Sequence, residues 1–252
     1  MMGNEQEVQR NFGQRAASYR QSRTHGNKAD LERMLKLLAP DKNAVALDVA
    51  TGGGHTACAL APHVKSVTAI DITPEMLREA AAYAGALGLK NISFQACDVH
   101  DMPFAEGQFD LVACRLAAHH FYDINKALQE MCRVLKKGGK LYILDCSVCD
   151  GEEAEREINR MEKIRDSSHH CSYSPRQWLA LLGELPLELW KHRLLKLQYD
   201  LPEWFDRMGA GQRQQEEVFR ILRNLSPACR EQYPFGEDFI ATYRFECVAV
   251  KC

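Results

Sequence analysis

The sequence predicts an α/β fold, a parallel sheet flanked by helices, and three observations carry that expectation. Short apolar runs alternate with helix-prone stretches between about residues 27 and 150, the pattern of strands buried on both faces by crossover helices. The first run ends in Thr51-Gly52-Gly53-Gly54, where a strand must turn tightly into a helix. The final stretch, Phe239 to Val250, alternates well enough to be a closing strand.

The runs that mark strands are Val45 to Val49, Ser66 to Ile70, Ile92 to Ala96, Leu111 to Cys114 and Lys140 to Leu144. Between them, Thr73-Pro74-Glu75 opens a helix, with Thr73 as cap, Pro74 in the first position and Glu75 at the positive end of the dipole. An Ala-rich stretch continues it to Leu87. Asn125 to Leu135 reads as another helix, stopped by Lys136-Lys137-Gly138-Gly139. Residues 4 to 24 suit a polar helix with a few apolar anchors, Val8, Phe12, Ala16 and Tyr19. Residues 151 to 237 form a helix-rich excursion in which Leu187 to Leu197 suits a strand and Trp178, Trp190 and Trp204 suit packing. The expected organisation is a lid helix over 1–26, a ligand-binding core over 27–150, a substrate cap over 151–237 and a last core strand over 238–252.

Composition narrows the function classes. With 252 residues, 46% hydrophobic and 26% charged, the chain suits one ordinary globular core with an excursion. Lys plus Arg (32) nearly cancels Asp plus Glu (34), so no global field draws it to nucleic acid. No segment approaches the roughly 20 apolar residues of a membrane span, and the polar start is unlike a secretory signal; a cytoplasmic protein is expected. The ten cysteines are scattered, which in a reducing compartment reads as free thiols, the Cys146/Cys149 pair included.

The chemistry is concentrated at strand ends. In Ala46-Leu47-Asp48-Val49-Ala50-Thr51-Gly52-Gly53-Gly54-His55, the glycines let a ligand approach the backbone, and the following helix presents amides to an anionic group. A purely structural turn would look the same. Asp48 discriminates: a carboxylate there repels a dinucleotide pyrophosphate but suits an amino-acid ammonium, which S-adenosylmethionine carries. Asp71, 17 residues after Gly54, ends the second strand where an acid accepts from ribose hydroxyls, with Ile72 as an apolar face for adenine. Asp98 and Val99 end the third strand, where a carboxylate suits the adenine amine. Each acid alone could be a surface residue; three at successive strand ends form a pattern.

Taken together, these residues resemble those of the class I S-adenosylmethionine-dependent methyltransferases. The resemblance extends to Phe109-Asp110-Leu111-Val112, Ala117-Ala118-His119-His120-Phe121 and Arg133-Val134-Leu135-Lys136-Lys137-Gly138-Gly139, and covers roughly residues 8 to 150. Within the family it is similar to the branch containing the ubiquinone and menaquinone biosynthesis methyltransferases. It implies a Rossmann-like seven-stranded sheet whose last strand is antiparallel, with S-adenosylmethionine as cofactor and S-adenosylhomocysteine as product. The cofactor residues expected are Tyr19, Asp48, Ala50, Thr51, Gly52, Gly54, Asp71, Ile72, Asp98, Val99 and Arg115.

On the acceptor side, His119 and His120 lie just past the fourth strand, where this family faces its methyl group. A neutral imidazole there suits proton removal, although packing or capping would serve as well. Arg165, Ser168 and His169 offer donors to a polar acceptor, or belong to a solvated loop before a helix capped by Ser174. Adjacent His169-His170 with Cys171 is too sparse for a metal site, and none is expected. The partner expected is a small-molecule acceptor, with the N-terminal helix and the excursion closing over it and excluding water. Two competing readings are an NAD(P)-dependent oxidoreductase, since Tyr122 to Lys126 spells a Tyr-x-x-x-Lys pair, and a non-catalytic cofactor-binding protein. Against a nucleic-acid methyltransferase, the sequence has neither the Asn- or Asp-Pro-Pro-aromatic segment after the fourth strand nor the Pro-Cys nucleophile expected of one.

Overall fold

The computed structural model describes residues 4–13, 24 and 26–252. It contains one seven-stranded sheet formed by β1 (Val45–Val49), β2 (Ser66–Asp71), β3 (Ile92–Ala96), β4 (Phe109–Arg115), β5 (Leu135–Ser147), β6 (Leu187–Asp200) and β7 (Phe239–Lys251). Their order is β3-β2-β1-β4-β5-β7-β6. The first five are mutually parallel, whereas the last strand, β7, runs antiparallel to both β5 and β6. The chain leaves β1 toward β2 and β3, then returns to β4 on its other side, so the order reverses between β1 and β4. In open parallel sheets a ligand crevice forms at such a point, beyond the carboxyl ends of the strands.

Side chains alternate across the sheet and fill two layers. Leu47, Val112 and Ile143 face one side, where they meet α5 (Ile124–Val134) and Trp178 and Leu182 of α7 (Pro175–Gly183). Ala46, Ala113 and Leu144 face the other, against α2 (Lys28–Leu38) and α3 (His55–Leu60). On that second side α2 is also tied by charge: Arg244 on β7 donates to Asp30 at 2.7 Å, and Arg33 to Glu246 at 2.8 Å. Such buried pairs fix geometry more than they add net stability.

Three local features differ from the sequence reading. The Thr73 hydroxyl makes no cap bond to α4 (Pro74–Ala86); its backbone N–H instead donates to Asp71 at 2.9 Å. Lys136 to Gly139 do not end a helix: α5 stops at Val134, and these residues bulge within β5, where six residues from Leu135 to Lys140 answer three from Phe109 to Leu111. A Cβ on Gly139 would lie 2.9 Å from the Asp110 carbonyl oxygen, which accounts for the glycine. Finally, Trp190 is not packed but 63% exposed on edge strand β6, while Trp178 and Trp204 are buried. Ser174 caps α7 as read, in a complete capping box with Gln177.

The excursion divides in two. Its β6 is the outer strand of the main sheet and α7 packs on that sheet through Trp178 and Leu182, while α6 (Glu152–Arg165), α8 (Leu201–Asp206), α9 (Gln212–Asn224) and α10 (Pro227–Gln232) enclose a separate small core around Trp204, Phe205 and Leu222. All ten cysteines are free thiols, and no described helix is long and apolar enough to cross a membrane.

Candidate active site

The turn after β1 is built around two buried carboxylates. Asp48 accepts from the Thr51 hydroxyl at 2.6 Å and from Ala57 N–H in the first turn of α3 at 2.9 Å. Burial pushes its pKa up to about 7, against the lowering effect of these bonds. Asp71 reaches across from β2, accepting from Gly52 N–H with one oxygen and Thr73 N–H with the other, both at 2.9 Å. Burial raises its pKa as well. The turn needs its glycines for different reasons. Gly52 has φ +52° with open space where a Cβ would sit, whereas at Gly54, φ +83°, a Cβ would lie 2.9 Å from Ala80 Cβ on α4.

A cleft lies over this turn at the carboxyl ends of the strands, where open parallel sheets bind their ligands. Of the cofactor residues read from sequence, Ala50, Thr51, Gly52, Asp71, Ile72, Asp98, Val99 and Arg115 line it. Asp48 and Gly54 do not: one braces the turn from below and the other packs against α4. Tyr19 lies outside the described residues. Arg115, buried at the end of β4, donates to the Thr56 hydroxyl at 2.9 Å.

Asp98 is half-buried and already organised. Its Oδ1 accepts from the His100 backbone N–H at 2.9 Å and meets the His100 ring Nδ1 at 2.6 Å, while Tyr122 hydroxyl donates to Oδ2 at 3.3 Å. The rings of His100 and Tyr122 stack at 3.7 Å and line the cleft beside it. Tyr122 thus serves this wall, in place of the Tyr-x-x-x-Lys role, and Lys126 lies in the first turn of α5, its amide capped by Asp123.

The two histidines after β4 have different environments. His119 does not line the cleft; its ring Nδ1 lies 2.5 Å from Asp145 Oδ1 and its backbone N–H donates to Oδ2 at 2.8 Å. Burial opposes its protonation, but the Asp145 carboxylate and Cys146 raise its pKa well above the usual range. His120 does line the cleft. Burial and the charge on His119 pull its pKa down against the opposing pull of the Asp166 carboxylate, which favours the neutral ring.

The described N-terminal helix, α1 (Asn4–Gly13), lies over this wall. Val8 and Phe12 line the cleft, the Phe12 ring meets His120 edge-on at 4.9 Å, and Gln9 donates to the Ile72 carbonyl at 2.9 Å. Of the rest of the expected lid over 1–26, residues 1–3, 14–23 and 25 lie outside the described residues.

Arg165, Ser168 and His169 are not brought to the cleft wall. Arg165 pairs with Glu162 at 2.7 Å over the Trp204 ring, Ser168 is fully buried, and His169 Nε2 meets Asn159 Oδ1 at 2.9 Å. Their segment is therefore an internal strut, not a solvated loop. The sequence reading missed His100 and Asp145. Asp145 carries a signal that was available, since it is one more acid near the end of an apolar strand. With His119 and Cys146 it brings three ligand-type atoms within 4.8 Å of one another, though its oxygens already accept from His119 and from Cys146 N–H.

Comparison with known proteins places this geometry. Residues 40–222 match the family described as a methyltransferase domain. The chain is 30% identical over 227 residues to the uncharacterized methyltransferase YcgJ of Bacillus subtilis, covering 88% of each. It is 37% identical over 120 residues to a demethylmenaquinone methyltransferase of Porphyromonas gingivalis, covering 46% of this chain and 49% of that one. The crystal structure of a putative methyltransferase from Bacillus halodurans superposes with a TM-score of 0.84 at 32% identity, covering 88% of this chain and 99% of that one.

Proposed function

The chain belongs to the methyltransferase domain family, and on that premise we propose that it binds S-adenosylmethionine in the strand-end cleft and methylates a small-molecule acceptor. The observation that carries the proposal is the joint placement of the Gly52 turn, Asp71 and Asp98 on one cleft wall at the point where strand order reverses.

The donor set fits that cofactor. Each Asp71 oxygen spends one lone pair on a backbone amide, which leaves acceptor capacity for two ribose hydroxyls. Asp98 accepts twice at Oδ1 and once at Oδ2, which leaves one lone pair on Oδ2 for an adenine amine, with Ile72 and Val99 as apolar neighbours. Gly52, with open space in place of a side chain, lets the ligand reach the backbone, and the Arg115 guanidinium suits a carboxylate. Bound S-adenosylmethionine supplies an electrophilic methyl group on a sulfonium. The protein's share is to orient the acceptor, exclude water and receive a proton. Phe12 and Val8 of α1 supply the apolar cover. His120, neutral at pH 7, accepts a hydrogen bond from the acceptor. A base of such low pKa does not ionise an alcohol or phenol beforehand; it takes the proton as the acceptor atom becomes positively charged.

The likeness to a demethylmenaquinone methyltransferase over its matched part makes reduced quinones and simpler aromatics the first acceptors to try. The test is calorimetry with S-adenosylhomocysteine and NADH, followed by a screen of acceptor classes with labelled cofactor read by product mass. Tight binding of S-adenosylhomocysteine and a mass gain of one methyl on an acceptor are expected. NADH binding more tightly, or binding without turnover on any acceptor class, would refute the proposal.

A further inference from the structure

The segment between α6 and α7 belongs to the cap in sequence, yet it is stitched to the wall that carries the histidines. The carbonyl of His119 accepts from His170 N–H at 2.7 Å and from Cys171 N–H at 3.1 Å. One residue on, His120 Nδ1 lies 3.1 Å from the Ser168 carbonyl oxygen and 3.4 Å from its hydroxyl. Ser168 is fully buried and held twice by Asp166, whose Oδ1 accepts from its N–H at 2.9 Å and its hydroxyl at 2.5 Å. Asp166 is itself 4% exposed. From the other side, Asn11 of α1 donates to the adjoining Ser167 hydroxyl at 2.8 Å, so the same short segment is gripped by both elements that border the cleft.

We propose that Ser168, held in place by Asp166, is a positioning residue that fixes the His120 imidazole with its proton on Nδ1. A carbonyl oxygen has no proton to give, so the 3.1 Å contact requires that Nδ1 carry the hydrogen. The neutral ring then keeps its lone pair on Nε2, the atom that must accept the hydrogen bond and later the proton from the acceptor. Imidazole tautomers otherwise exchange freely, and a ring in the wrong form presents a donor where an acceptor is needed. The pull that burial and His119 exert on the His120 pKa keeps the ring neutral, the state in which the tautomer matters. The segment that sequence assigned to substrate contact would thus act on the substrate through His120. The inference rests on the reading of the cleft as the methyl-transfer site, since only that reading gives the lone pair a task.

The experiment is a long-range proton–nitrogen correlation spectrum of the full-length ¹⁵N-labelled protein at neutral pH, with and without S-adenosylhomocysteine. His120→Gln assigns the signals. The wild type should show one neutral His120 with widely separated nitrogen shifts and the protonated position at Nδ1. Asp166→Ala removes both bonds to Ser168 and should draw the two shifts toward a common average. Asp166→Asn, which keeps an oxygen acceptor, and Ser168→Ala, which keeps the carbonyl and the N–H bond, should each retain the wild-type pattern. A wild-type ring protonated on Nε2, or already averaged, overturns the proposal without recourse to any variant, as does an unchanged pattern in Asp166→Ala. Failure of S-adenosylhomocysteine to bind would instead remove the cofactor reading while leaving the tautomer measured.

Discussion

Replacing Asp71 by alanine should separate the cofactor reading from a purely structural one. The wild-type carboxylate holds Gly52 N–H and Thr73 N–H, each at 2.9 Å, and on the proposed reading it also accepts from two ribose hydroxyls. A hydrogen bond to a charged group contributes about 1.5–3 kcal/mol. Losing two of them from the ligand, with partial compensation by water entering a cleft open to solvent, gives about 3 kcal/mol, or roughly 100-fold in affinity. The turn loses its brace as well, which should lower unfolding stability by about 1–3 kcal/mol. Titration calorimetry with S-adenosylhomocysteine at 25 °C measures the first quantity and urea unfolding the second. Affinity within about threefold of wild type, in a variant whose stability has fallen as expected, would show that Asp71 serves only the turn and would remove the main support for the cofactor assignment.

Asp48 should make the protein less stable as pH rises. Its folded pKa is about 7, above that of an unfolded carboxyl, so from about pH 4 to 7 the native state holds a proton that the unfolded chain has released. Stability from this group is full at the acid end and lost through neutrality, and Asp48→Asn should flatten that part of a Tm-against-pH curve; an unchanged slope would contradict it. Gly54→Ala places a Cβ 2.9 Å from Ala80 Cβ at φ +83°, and left-handed strain of about 1–2 kcal/mol with overpacking of about 1–3 kcal/mol predicts a loss of about 2–5 kcal/mol in urea unfolding. A loss below 1 kcal/mol would mean that α4 yields easily. Phe12→Ala removes part of the cleft wall and the edge contact to His120, which should weaken S-adenosylhomocysteine about 3- to 10-fold, on the order of 1 kcal/mol for an aromatic contact; unchanged affinity and unchanged hydrogen exchange over 8–13 would detach α1 from the site.

What sequence disclosed and what it concealed follow from the range of the interactions. Strands β1 and β3 were legible to the residue because each is a short run bounded by turn residues, although only β1 is buried on both faces and β3 is the half-exposed edge of the sheet. The start of β5 was not, because Lys136-Lys137-Gly138-Gly139 has the composition of a helix stop, and only pairing with β4 turns it into a bulge. Edge strand β6 ran past its expected end at Leu197 to Asp200, since its alternation with one partly exposed face fades into the Asp200 cap of α8. The contact between Ser168 and His120 joins residues 48 positions apart through a segment without periodic signal. No local rule locates such a pair.

The strand-end acids carry a more general lesson about reading charge from sequence. Asp48, Asp71, Asp98 and Asp145 stand within two residues of the ends of β1, β2, β3 and β5, and every one accepts a backbone N–H near that edge: Ala57 in α3, Gly52 with Thr73, His100, and His119 with Cys146. Their shared task is to satisfy amides where the ladder stops, a requirement that parallel strands buried on both faces create whether or not a ligand is present. Ligand chemistry is added only where a second condition holds, that the carboxylate also borders the cleft, and Asp71 and Asp98 meet it while Asp48 and Asp145 do not. Asp48, which the sequence pairs with an ammonium, braces the turn through Thr51 and Ala57 and does not border the cleft. Asp145 has the same structural assignment and does not border the cleft either. The number of acids at such an edge measures how many loops need fixing; which of them can meet a ligand is decided by exposure to the cleft.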